Sequence, residues 1–192
     1  MSSSKPFENI TAKDKQTILK VARHAIQYGL TYKNPPLLEL ENYTPQLQAK
    51  AATFVTLKET NKLRGCIGTL EAYQPLIQDV AEHAYAAAFN DPRFPPVNAI
   101  EEPMLHISIS LLSSPEPISV NNEQVLIAQL EPGKTGLILE YGPHKATYLP
   151  SVWEQIASPQ EFVSQLKRKA GLAEQFWDDS MTFKTYYCEM ID

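Results

Sequence analysis

The sequence is poor in cysteine, with only Cys66 and Cys188 among 192 residues, and neither belongs to a Cys-x-x-Cys pair. Its four histidines form no His-x-x-x-His pair either, so spacing announces no metal site and none is expected. No apolar run approaches the roughly 18 residues that would span a bilayer, and no membrane association is expected. A basic n-region followed by an apolar h-region is missing from the N-terminus, which argues against a secretory signal. Two isolated cysteines then read as free thiols in a reducing, cytoplasmic setting. Excess positive charge is also lacking: the formal net charge is -5. That balance, with no basic stripe, excludes a dedicated nucleic-acid binder. The densest cationic cluster, Lys167-Arg168-Lys169, reads as the last turn of a helix.

What is present suits an ordinary globular chain, with 43% hydrophobic and 20% charged residues. Such a composition can bury one generous domain or two small lobes. Fifteen prolines divide it into short elements. Met1 to Lys5 are small and polar and read as disordered. Thr11 and Asp14 form a capping arrangement ahead of Ile18, Leu19, Ala22, Ala25 and Ile26, which recur at helical spacing, with Gly29 as the expected stop. Thr31 to Gln48 reads as an extended connection. Thr53 to Lys58 and Leu63 to Leu70 are β-branched and apolar around turn residues 59–62, which predicts a hairpin. Pro75 opens a helix from Leu76 to Phe89, ended by Asp91-Pro92-Arg93-Phe94-Pro95-Pro96. Met104 to Leu112 alternates as a strand with one buried and one more polar face. Gly136 to Tyr141 and Ala146 to Leu149 read as a second hairpin. Ser158, Pro159 and Glu161 open a last helix that ends at Gly171, and Thr182 to Met190 is a closing strand. This order predicts an α+β fold of antiparallel sheets flanked by helices, not a doubly wound sheet.

The chemistry concentrates in Leu63-Arg64-Gly65-Cys66-Ile67-Gly68-Thr69. In a regular strand Arg64 and Cys66 share a face, about 6.6 Å apart. A guanidinium that close favours a thiolate, the nucleophilic form of cysteine. Two glycines in four residues weaken a strand unless a bulge or a close backbone approach requires them. These residues fit a reactive thiol beside bared backbone, and also, the reading the residues alone favour, a packed strand crossing with a buried cysteine.

The hairpin Phe54-Val55-Thr56-Leu57 followed by this heptad resembles the hallmark of the AMMECR domain family, whose prokaryotic members are called AmmeMemoRadiSam system protein A. Further similar segments follow in the family's order: residues 91–97, Ile107-Ser108-Ile109-Ser110, Gly133-Lys134-Thr135-Gly136-Leu137-Ile138, Leu149-Pro150-Ser151-Val152 and Lys169-Ala170-Gly171-Leu172. Leu70 stands where the family often has Phe, Ser151 replaces an expected Gln, and a cysteine before the Lys-Ala-Gly-Leu run is absent. The resemblance implies one AMMECR-like domain over residues 8–190, with two lobes and a cleft near residues 63–70. It also implies association with a Memo-like protein and a radical SAM protein, but no particular reaction and no known cofactor.

Two readings of the site follow. In the first, Arg64, Gly65, Gly68, Thr69, Asp91 and Arg93 bind a small anionic ligand or a partner segment, and the chain is an accessory or binding protein. In the second, Cys66 is the nucleophile of a thiol-dependent enzyme, with Arg64 favouring the thiolate and His106, or else His83, as base. Arg64 could instead pair with Asp91 or Glu71, and Asp91 could cap backbone amides of the turn that ends its helix. His144 reads as a solvated loop residue, and Gly133-Lys134-Thr135-Gly136 as a turn instead of a phosphate loop.

Overall fold

A computed structural model of the chain describes residues 9–156 and 158–192. The expected disorder of Met1 to Lys5 therefore concerns residues outside the described ones. The backbone divides into two compact units, one running to Ser114 and taking in Glu189–Asp192, the other comprising Pro115–Cys188.

The first unit begins with α1 (Ala12–Tyr32), where Thr11 and Asp14 close a reciprocal capping box. Its buried stripe includes Ile18, Val21, Ala22, Ala25 and Ile26. The helix does not stop at Gly29 as the sequence predicts. It continues to Tyr32, and Lys33 takes the left-handed cap at φ 60°. Gly29 serves packing instead: a Cβ there would lie 2.6 Å from ring atoms of both Tyr85 and Phe89. The predicted extended connection contains a short 3-10 turn at Leu40–Asn42 and a one-turn α2 (Pro45–Gln48) that buries Leu47.

Strands β1 (Lys50–Glu59) and β2 (Lys62–Gly68) form the expected hairpin. Its two turn residues, Thr60 and Asn61, have φ of 47° and 64°, as a primed turn demands. The two-residue β3 (Gln74–Pro75) pairs with the start of β1, and β4 (His106–Leu112) pairs along its length. Helix α3 (Leu76–Phe89) packs on β1, on β2 and against α1. Ile18, Ala22 and Ile26 of α1, Ile77, Val80 and Ala84 of α3, and Val55, Leu57 and Ile109 of the sheet are all fully buried in one core. Each large aliphatic among them contributes about 1.5–3 kcal/mol by leaving water.

In the second unit β6 (Thr135–Tyr141) and β7 (His144–Tyr148) form a hairpin around Gly142, at φ 52°. The long β8 (Thr182–Ile191) pairs with β6, and β5 (Glu116–Ile118) pairs with β8. The sequence reading assigned neither β5 nor α4 (Glu123–Gln129), whose N-cap is Asn122. Helix α5 (Pro159–Lys169) starts on the Ser158 cap. Trp153 stacks on Phe162 at 3.8 Å between centroids, and its Nε1–H donates to the Thr135 carbonyl at 2.8 Å. Lys167, within the predicted cationic turn, is fully buried and donates to Glu123 at 2.5 Å and to the Glu174 carbonyl at 2.9 Å. Helices and antiparallel strands together make the fold α+β, as predicted.

Candidate functional site around Cys66

The site is set by an irregularity in the β1–β2 ladder. Pairing begins Glu59↔Lys62 and Lys58↔Leu63, then resumes as Leu57↔Gly65, Thr56↔Cys66 and Val55↔Ile67. Arg64 is the extra residue of a β-bulge. Without it Cys66 would oppose Val55, which is fully buried. A one-residue shift moves every following side chain to the opposite face. The bulge thus turns Cys66 to the side of Thr56, away from the helices, and leaves its side chain partly exposed. The Thr56 hydroxyl donates to Cys66 Sγ at 3.3 Å.

Both glycines of the motif meet backbone. A Cβ at Gly65 would lie 2.0 Å from the Ala87 carbonyl oxygen of α3, and one at Gly68 would lie 2.3 Å from the Thr53 carbonyl oxygen. No side chain fits either gap. Thr69 extends the contact, its N–H donating to that same Thr53 carbonyl at 3.0 Å.

The outer edge of β2 is closed by side chains. Cys66 N–H donates to Asp91 Oδ2 at 2.8 Å, and Arg93 Nη2 donates to the Cys66 carbonyl at 3.1 Å. Asp91 and Arg93 are joined by three further bonds: the Arg93 amide donates to Asp91 Oδ1 at 3.1 Å, and its guanidinium donates to the carboxylate at 2.9 and 2.6 Å. They occupy the N–H and C=O that a neighbouring strand would otherwise take. Hydrogen bonds from the Arg93 guanidinium, aided by the Cys66 and Arg93 amides against the effect of burial, hold the Asp91 carboxyl well below the usual carboxylate range. Asp91 itself is buried, whereas the Arg93 side chain is 54% exposed.

Arg64 pairs with neither Asp91 nor Glu71. Its Nε and Nη2 reach the two oxygens of Glu101 at 3.1 and 3.2 Å. This fork holds the Glu101 carboxyl below its ordinary value, helped by the Asn98 amide. Arg64 is buried, and its Nη1 has no partner among the described residues. The exposed cation beside Cys66 is therefore Arg93.

The histidines fall elsewhere. His106 opens β4 opposite Lys58. With β1 intervening, its Cα lies about 12 Å from that of Cys66, by strand spacing and rise. His83 is on α3, where Nδ1 lies 3.1 Å from Asp79 Oδ2; the Thr53 hydroxyl donates to the same oxygen at 2.6 Å. Thr53 alternates with Thr56 along β1, so His83 and Cys66 address opposite faces of the sheet. His144, in the second unit, is not a free loop residue: its Nδ1 lies 2.8 Å from the Ala170 carbonyl oxygen. Lys134 sits in a turn paired with Glu131. Among the described residues no cluster of three His, Cys, Asp or Glu has metal-binding geometry.

Sequence reasoning missed Glu101 and Thr56. Glu101 carries no spacing signal at all. Thr56 was within reach of a hairpin register, but a regular ladder from Glu59↔Lys62 puts Thr56 opposite Gly65. Only the bulge brings it to Cys66.

Two compact α+β units and a bulged, glycine-bared strand presenting one thiol define the class. The chain belongs to the AMMECR1 family, whose model matches residues 19–191. A protein of Methanopyrus kandleri is 34% identical over 178 residues, covering 88% of this chain and 83% of that protein. One of Methanocaldococcus jannaschii is 34% identical over 171 residues, covering 88% and 84%. An uncharacterized protein from Pyrococcus horikoshii has a similar crystal structure, with TM-score 0.86, 30% identity and coverage of 94% of this chain and 92% of that one. No helix among the described residues is long and apolar enough to cross a membrane.

Proposed function

We propose that this chain is an accessory binding protein of the cytoplasm whose Cys66 face docks a Memo-like or radical SAM partner. The observation that carries this reading is the bulge at Arg64, which takes a cysteine out of the core register and leaves it partly exposed. Asp91 and Arg93 then fix its backbone, so the thiol is presented on a rigid support. Thr56, Cys66 and the exposed Arg93 guanidinium supply the polar contacts, and Arg93 is the cation available to an anionic group of the partner. Gly65, Gly68 and Thr69 serve this presentation by close packing, and Arg64 serves it through Glu101. Partner identity rests on the family resemblance alone.

The test is calorimetric titration of the purified chain with purified Memo-like and radical SAM proteins of the same source. Binding to at least one partner is expected, and Thr56→Arg, which fills the face without touching the core, weakens it by more than about tenfold. Failure of both partners to bind the native chain overturns the proposal.

The 3.3 Å contact between Thr56 and Cys66 favours a second reading, a thiol-dependent enzyme with Cys66 as nucleophile. Its base would have to come from outside the pairings described, since neither His106 nor His83 adjoins the sulfur. This reading expects Cys66 to react with iodoacetamide faster than Cys188 by about tenfold or more at neutral pH. Equal rates at the two thiols discard it.

A further inference from the structure

A hollow of about 370 Å³ opens in the first unit where α1 passes the start of β4. Leu19, Leu105 and Ile107 give it an apolar floor, and Lys20, His24 and His106 line it as well. Among the described residues none of these three basic side chains has a hydrogen-bond or ion-pair partner. Arg23, on the same wall, is already committed: it donates to the Glu102 carbonyl and carboxylate and to the Leu105 carbonyl. Those bonds tie α1 to the segment entering β4, so the walls are fixed before any ligand arrives.

We propose that this hollow binds a small monocarboxylate carrying an aliphatic or aromatic tail. The tail covers the apolar floor while the carboxylate takes the Lys20 ammonium and the His24 imidazole, both on α1. A volume of this order holds a small molecule. Asp192 lines the hollow too, and its charge disfavours a doubly charged phosphate ester. A single carboxylate is the anion that suits one free lysine beside one acid.

The probe is 3-phenylpropionate, titrated into the full chain and followed by backbone amide shifts, with 3-phenylpropionamide and inorganic phosphate in parallel. Saturable shifts confined to residues 19–27 and 105–107 are expected for the carboxylate, with the amide about fivefold weaker or worse and phosphate weaker still. Lys20→Ala and His24→Ala each weaken the carboxylate by about threefold or more, with thermal stability unchanged because both residues are exposed. Cys66→Ser leaves it unaltered, which separates this site from the partner-docking face. Non-saturable shifts, an amide or phosphate that binds as well, or native affinity in Lys20→Ala overturns the proposal.

Discussion

Asp91 shows how much of the site rests on one side chain. Its carboxylate accepts from the Cys66 amide and from Arg93 while remaining buried. Asp91→Asn removes the charge and keeps the shape, so Arg93 loses its counter-ion and the edge of β2 loosens. A loss of about 2–3 kcal/mol near neutral pH is expected by urea denaturation. The carboxyl is depressed in the folded state, so its contribution is complete above the unfolded value near 3.8 and declines as acid protonates it. The difference between the native chain and Asp91→Asn should therefore narrow progressively below about pH 4. A difference independent of pH would show that the charge contributes nothing. The motif and the loop after Phe89 pointed to Arg64, Cys66, Asp91 and Arg93, and the structure joins Cys66, Asp91 and Arg93 directly. Their pairings were not, because Glu101 reaches Arg64 across 37 positions of chain with no periodic signal.

At the scale of elements, strands and helices were readable wherever one face is buried. The α1 residues repeat at helical spacing because the helix buries a single stripe, and Leu105 to Leu111 alternate with polar residues although β4 buries Ser108 and Ser110 as well. The reading faltered where packing overrides local preference. Gly29 looks like a helix stop, yet tertiary contact with aromatic rings requires it inside the helix. Short α4 has no long stripe to announce it, and burying Leu126 is enough to hold it. The two interior glycines also predict different costs. Gly65→Ala drives a methyl into the Ala87 carbonyl of α3, and backbone cannot rotate aside. Gly29→Ala meets only side-chain rings, which can shift, and alanine favours the helix. Gly65→Ala should cost about 3 kcal/mol or more, and at least twice as much as Gly29→Ala, read from denaturation midpoints. Equal costs would mean that the β2–α3 approach is loose.

For the whole molecule, the telling feature is that the first unit is discontinuous in sequence. Its last contribution comes from Glu189–Asp192, after the complete second unit. Ile191 is buried in the α1–α3 core, Glu189 pairs with Lys15, and Met190 accepts a weak bond from Ser110 at 3.9 Å. Ile191→Ala should cost about 2–4 kcal/mol and accelerate amide exchange in β1 and β4. Unchanged exchange in those strands would show that the tail is dispensable. No composition or motif reveals this return, because the sequence marks the closing strand as a single element. Only the division of its residues between two cores discloses it.

That return has a consequence for biosynthesis. The amino-terminal core cannot finish assembling until the whole second unit has been translated, because the isoleucine that completes it lies beyond that unit in the chain. More than one hundred residues must emerge and wait, with an unfilled seat beside α1, until the segment after Cys188 delivers the missing piece.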